Sequence, residues 1–337
     1  MTRRSRRLLP ALLPLAAASA LALAACAGPA AAPSGDATGS ADGPVVVVAS
    51  TDVYGSLVSA VGGDAVEVTS IVSGTAQDPH SYEATTRDQL ALSEADLVVM
   101  NGGGYDSFVD SLVGALPEPH PSVVVAVEAA GLVDDHAEDD HAEDDHAEDD
   151  DGHEGHDHGH IEGLNEHIWY DLEAMQAVAH EIAHALAEID PANAEAFEAN
   201  SEALEAELEG LHEQLEALVP AHEGQRAAVT ELVPLAMLED AGLVNATPEA
   251  FTEAIEEGTD VPPATLQETL ALFAGPDPVV LLAYNTQTAS AETERVLGAA
   301  ESAGVAVVDF TETMPEDSTF VEWMTANVDA LRSALGA

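Results

Sequence analysis

Lysine is absent from this sequence, and its eight basic residues are all arginines. Four of them, Arg3, Arg4, Arg6 and Arg7, crowd the first seven positions. The remainder keeps only Arg87, Arg226, Arg295 and Arg332 against 63 acidic residues. The formal net charge is −55, or −59 once the four N-terminal arginines are set aside. Such a surface repels nucleic acid and anionic lipid headgroups and draws cations. A general habit of keeping proteins soluble in salt produces the same bulk charge, so charge alone assigns no function. Cysteine occurs once, which leaves no partner for an internal disulfide. Aromatic residues make up 4%; with so few arginines beside them, they argue against a cleft for a chelated metal or a cobalamin. A phosphate-binding loop is missing too, because Gly102-Gly103-Gly104 lacks the Lys-Ser/Thr ending.

What is present begins with an export signal. The arginines form a cationic n-region, and an apolar stretch from Leu8 to Ala25 follows, broken by Pro10 and Pro14. It closes on Leu23-Ala24-Ala25-Cys26, the layout of a lipoprotein cleavage site with Cys26 as the lipidated residue. The two prolines and the polar Gly/Pro/Ser-rich segment beyond argue against a membrane-spanning helix. The expected organisation starts with a signal over 1–25 and a flexible linker over 26–43. The location is extracytoplasmic, on the cell membrane through a lipid anchor.

The rest alternates short apolar runs with helix-like stretches. Val45 to Ala49, Val66 to Val72, Leu97 to Met100 and Val123 to Val127 read as strands, with a helix from Arg87 to Glu94 among them. The rhythm returns at Ala227 to Thr230, Val279 to Ala283 and Val305 to Phe310. This pattern predicts an α/β protein of two lobes, each a parallel sheet flanked by helices. Between them, Phe197, Leu204, Leu208, Leu211, Leu215 and Leu218 form one apolar stripe. Asp190-Pro191 supplies a helix start and Pro220 a stop, so one long helix of roughly 40 Å is expected to join the lobes. The expected boundaries are 44–190 for the first lobe, 191–219 for the linking helix and 220–337 for the second lobe.

Residues 134–160 differ from everything around them. An Asp-Asp-His-Ala-Glu unit repeats three times, placing His136, His141 and His146 five residues apart, and His153, His156, His158 and His160 follow. Half of the 14 histidines lie here, among carboxylates and almost no apolar residues. The segment cannot bury a core and is expected to be a disordered loop with weak, auxiliary metal binding.

Ordered ligands belong where the strands of an α/β fold end in loops. Four residues qualify: His80, His167, Glu231 and Glu312. Two imidazoles and two carboxylates would hold a divalent ion at roughly neutral total charge. A competing motif is His180-Glu181-Ile182-Ala183-His184, the His-Glu-x-x-His pattern of zinc metallohydrolases. However, Met175, Val178, Ala179, Ile182 and Leu186 define the apolar face of that helix, which turns His180 and His184 toward solvent. Tyr284 to Gln287 ends a strand with side chains suited to hydrogen bonding around a site.

On these residues the chain resembles the metal-receptor family of bacterial ABC importers called cluster A-I, over essentially all of Val45 to Leu335. Asp78-Pro79-His80-x-Tyr82-Glu83 is similar to the family's first-ligand motif, and His167-Ile168-Trp169-Tyr170-Asp171 to the second. Glu231 stands eleven residues before Gly242-Leu243, the family's spacing for a third ligand, and Phe310-Thr311-Glu312 resembles the segment of the fourth. Zinc members usually carry histidine at the third position, so Glu231 points to manganese, while the histidine loop points to zinc. Since nearly any nitrogen/oxygen site favours zinc over manganese, zinc is expected first. The resemblance implies a monomeric, non-enzymatic receptor that delivers Zn2+ or Mn2+ to a membrane permease. A metallohydrolase built on Glu181, and a surface adhesin or metal buffer working through the loop, are the alternatives.

Overall fold

The computed structural model describes residues 43–74, 82–133, 161 and 163–337. Strands β1 (Val45–Thr51), β2 (Val66–Val72), β3 (Leu97–Met100) and β4 (Ser122–Val125) form one sheet in the order β2-β1-β3-β4. Strands β5 (Gln225–Val229), β6 (Leu243–Asn245), β7 (Leu281–Asn285) and β8 (Ala306–Phe310) form a second, in the order β6-β5-β7-β8. Every pairing is parallel. The two-sheet α/β architecture expected from the alternating pattern is therefore present, and both sheets share one strand order. Central strands are apolar on both faces, as the buried runs of β3 and β7 show. The edge strand β2, Val-Glu-Val-Thr-Ser-Ile-Val, leaves every second side chain near its start exposed.

Three local expectations need correction. The run Val123 to Val127 does not stay extended: β4 ends at Val125, opposite Met100, where its partner β3 also ends. With no further backbone to pair, Ala126–Ala129 turns into a helix. The long helix covers Ala194–Glu216, about 35 Å of rise, rather than starting at Pro191. Asp190 does not cap it. Its carboxylate instead accepts from the Ala192 backbone N–H (3.2 Å) and the Asn193 side-chain amide (2.6 Å), closing a turn before the helix. Pro220 does not stop this helix either; it lies in the first turn of a separate short helix, Val219–His222. The stripe itself is where the spacing placed it, with Phe197, Leu204, Leu208, Leu211 and Leu215 buried.

The sheets are joined by more than one helix. A single hydrophobic cluster runs from Val47 and Leu97 through Trp169, Tyr170 and Phe197 to Leu281 and Val308. Tyr170 marks the seam. Its O–H donates to the Thr311 carbonyl (2.7 Å) and accepts from the Asn327 amide (3.2 Å). Its ring lies edge-on to Phe310 (5.9 Å) and Trp323 (5.5 Å). The C-terminal helix Phe320–Leu335 begins by donating the Phe320 N–H to Ser56 Oγ in the first half of the chain (2.9 Å). A shared apolar core of this extent resists rigid-body separation of its halves. Among the described residues, no helix is long and apolar enough to cross a membrane.

Candidate metal centre

Parallel strands end on the same edge of their sheet, where an α/β fold places the loops that can carry functional side chains. After β3 the chain enters Asn101-Gly102-Gly103-Gly104-Tyr105-Asp106. Asp106 is fully buried and accepts from the backbone N–H groups of Asn101 (2.6 Å) and Gly102 (2.9 Å), clamping the loop on itself. Gly102 has φ +78°, and a Cβ there would lie 2.4 Å from Val125 Cγ1, so both the left-handed backbone and the close approach require glycine. The outcome is a fixed direction for Tyr105, whose O–H donates to Glu312 Oε1 across the seam (3.0 Å). Burial, and then the Glu312 charge, raise the Tyr105 phenol well above its ordinary range, so it stays a proton donor.

Glu312 follows β8. Its backbone N–H, and that of Thr313, donate to the Gln287 side-chain carbonyl (2.6 and 3.0 Å). Glu231 follows β5 and is 3% exposed. The side-chain amide of Asn285, at the end of β7, donates to Glu231 Oε2, and the Asn285 backbone N–H donates to Thr230 Oγ1 (2.8 Å). The hydrogen-bonding role expected for Tyr284 to Gln287 is thus carried by Asn285 and Gln287.

His167, 2% exposed, precedes the tight turn Ile168–Tyr170. Its Nδ1 lies 3.0 Å from Asn165 Oδ1, which also accepts the His167 backbone N–H (3.2 Å). Because Asn165 Oδ1 can only accept, Nδ1 carries the proton and Nε2 the lone pair. The Asn165 amide donates to the Leu232 carbonyl beside Glu231 (3.1 Å), tying the His167 loop to the segment after β5. Ring contacts with Trp169 (5.3 Å) and Tyr105 (6.1 Å) fix the imidazole from two other sides.

Of the four candidate ligands, three lie at this seam: His167 from the first half of the chain, and Glu231 and Glu312 from the second. His80 lies outside the described residues, as do Cys26 and His136, His141, His146, His153, His156, His158 and His160. Among the described residues, the group whose ligand atoms all fall within 4.8 Å of one another is Glu166, His167 and Glu256. Sequence reasoning missed Glu166, although it is His167's neighbour, and Glu256, the last residue of the helix Glu249–Glu256. Glu166 is 4% exposed, and burial raises its carboxyl; a hydrogen bond with Glu256 offsets part of this. Asn165, Asn101 and Tyr105 were also unassigned. Asn101 supports the loop by donating to the Glu166 carbonyl (3.0 Å).

The His-Glu-x-x-His helix, Leu172–Ile189, turns as its periodicity predicts. Met175, Val178, Ala179, Ile182 and Leu186 are buried, while the His180 and His184 side chains are 75% and 62% exposed. No third ligand completes a site around them among the described residues.

Comparisons with known proteins bear on the family and the fold. The sequence is 29% identical over 158 residues to the metal ABC transporter substrate-binding lipoprotein ScbA of Streptococcus cristatus. It is 28% identical over 157 residues to the manganese ABC transporter substrate-binding lipoprotein PsaA of Streptococcus anginosus. Each match covers 44% of this chain and 42% of the relative, so the matched stretch spans less than half of those relatives' length. The fold is similar to that of the solute-binding protein FpvC of Pseudomonas aeruginosa in complex with Ni2+, with a TM-score of 0.65 and 21% identity. That likeness covers 87% of this chain and 97% of FpvC. The sequence pattern of one family, the periplasmic component A of the zinc-uptake complex, matches residues 47–334. It is a family of solute-binding receptors, not of enzymes, and this chain belongs to it.

Proposed function

We propose that this chain is an extracytoplasmic receptor that captures a divalent transition metal and passes it to an ABC importer permease, anchored to the membrane by lipid on Cys26. The observation that supports the reading is that His167, Glu231 and Glu312 are all buried beside bonds that join the two halves of the chain, Asn165 to the Leu232 carbonyl and Tyr105 to Glu312. Each is oriented by a neighbour: Asn165 on the imidazole, Asn285 on Glu231, Tyr105 on Glu312. Such supporting hydrogen bonds are what metal ligands require, since they hold tautomer and direction. His80, which lies outside the described residues, is the fourth member of the proposed set of two imidazoles and two carboxylates. That set balances a divalent charge, and with four ligands it favours zinc over manganese. The names of the relatives, lipoproteins of metal and manganese transporters, support the same class of cargo.

No bond needs to be made or broken. Ligands from both halves allow the ion to stabilise one arrangement of the seam over others, which is how occupancy reaches a partner. The shared core keeps that change small. The chain acts as a monomer in this account, and the 134–160 segment serves as a weak collector. Deleting 134–160 from the chain Ala27–Ala337 separates receptor from buffer. Calorimetric titration is expected to retain one tight equimolar site, with zinc bound more tightly than manganese. Loss of all tight binding on deletion would overturn the receptor reading in favour of the buffer.

A further inference from the structure

We infer that Glu166 and Glu256 bind the metal together with His167 and supply carboxylate oxygens that accommodate an ion of coordination number above four, of the manganese type. This rests on the receptor reading above. The ligand atoms of Glu166, His167 and Glu256 lie within 4.8 Å of one another. Two atoms bound to one ion at about 2.0–2.2 Å are at most about 4.4 Å apart, so small side-chain shifts suffice to close the group on a cation. The backbone needs no such shift, because Asn101 holds the Glu166 carbonyl and Asn165 holds the His167 ring.

The two carboxylates come from separate parts of the chain. Glu166 belongs to the loop entering the Ile168–Tyr170 turn, and Glu256 ends the helix that follows β6. Their meeting is a product of the fold and not of an acidic run. Glu166 and His167 are buried, at 4% and 2% exposure, where ionised carboxylate loses its water.

The additional oxygens matter for selectivity. Zinc is satisfied by four ligands in a tetrahedron and gains little from more, whereas manganese takes oxygen-rich, six-coordinate surroundings. Glu166 and Glu256 therefore narrow the intrinsic preference for zinc that the four-ligand set would show alone. The test is competitive titration of Zn2+ and of Mn2+ into the full chain and its Glu166→Gln and Glu256→Gln variants, with metal-free melting curves as a check on folding. Glutamine keeps the volume and one acceptor oxygen of each side chain while removing its charge. Each variant is expected to bind manganese at least about tenfold more weakly and zinc less than about threefold more weakly. The proposal is overturned, with the receptor reading intact, when the parent chain binds both ions tightly and neither variant changes the manganese affinity. A parent chain with no tight site for either ion overturns both.

Discussion

Replacing His167 by alanine is expected to weaken both zinc and manganese binding by more than about 100-fold while leaving the metal-free fold in place. His167 is the described imidazole at the seam, and its lone pair is directed by Asn165, Trp169 and Tyr105. Alanine removes the nitrogen ligand and leaves the surrounding carboxylates, which bind borderline metals poorly without imidazole. Asn165→Ala probes the same point indirectly. It keeps the ring but frees its tautomer, and the expected loss is about 10- to 100-fold. Circular dichroism and melting of the metal-free proteins separate lost ligation from lost folding. An unchanged affinity in His167→Ala, with a folded protein, contradicts the assignment.

The second large effect concerns the metal-free chain and pH. Asp106 is fully buried, and burial pushes its carboxyl up from 3.8 to about 6, despite the backbone N–H groups of Asn101 and Gly102 that favour the charged form. Between those two values the folded chain holds a proton that the unfolded chain has released. Its contribution therefore grows as pH falls through the window from about 6 to 3.8, and is lost as pH rises. The full window corresponds to about 3 kcal/mol, of which roughly half is gained by about pH 5. Burial raises Glu166 and Asp240 in the same direction, and a strongly negative chain repels itself less as it is protonated. Urea unfolding of the metal-free protein should give a higher midpoint at about pH 5 than at about pH 7.5, and Asp106→Asn should reduce the difference. A midpoint that drops on acidification would contradict the account of Asp106.

The parallel sheets were legible because their central strands are short, continuous apolar runs, such as Leu97 to Met100, that recur between helix-like stretches and suit a strand buried on both faces. The helical stripe from Phe197 to Leu215 was legible for the same kind of reason, a periodicity enforced by a buried face. Element ends were less so. Asp190-Pro191 has the chemistry of a helix start, yet Asp190 spends its carboxylate on a turn, and nothing local distinguishes the two uses. Strand β6 has three residues, too few for any period to register.

Of the candidate residues read from motifs, Glu231 and Glu312 follow the ends of strands, a position that local sequence can mark, whereas His167 precedes the Ile168–Tyr170 turn instead of ending a strand. The supporting residues are a matter of tertiary contact. Asn165 meets Leu232 across 67 positions, and Tyr105 meets Glu312 across 207. In a chain with 63 acidic residues, Glu256 has no sequence feature that separates it from its neighbours. Only the fold brings it to His167.

In the proposed receptor the two halves of the chain share one metal. Removing the second half's contribution examines this sharing: equilibrium competition titration of zinc and manganese into the double variant Glu231→Gln, Glu312→Gln, beside the parent. A loss of more than about 100-fold for both ions, with His167 intact and the protein folded, is the result this account predicts. Affinities equal to those of the parent would contradict it and would place the metal on the first half alone.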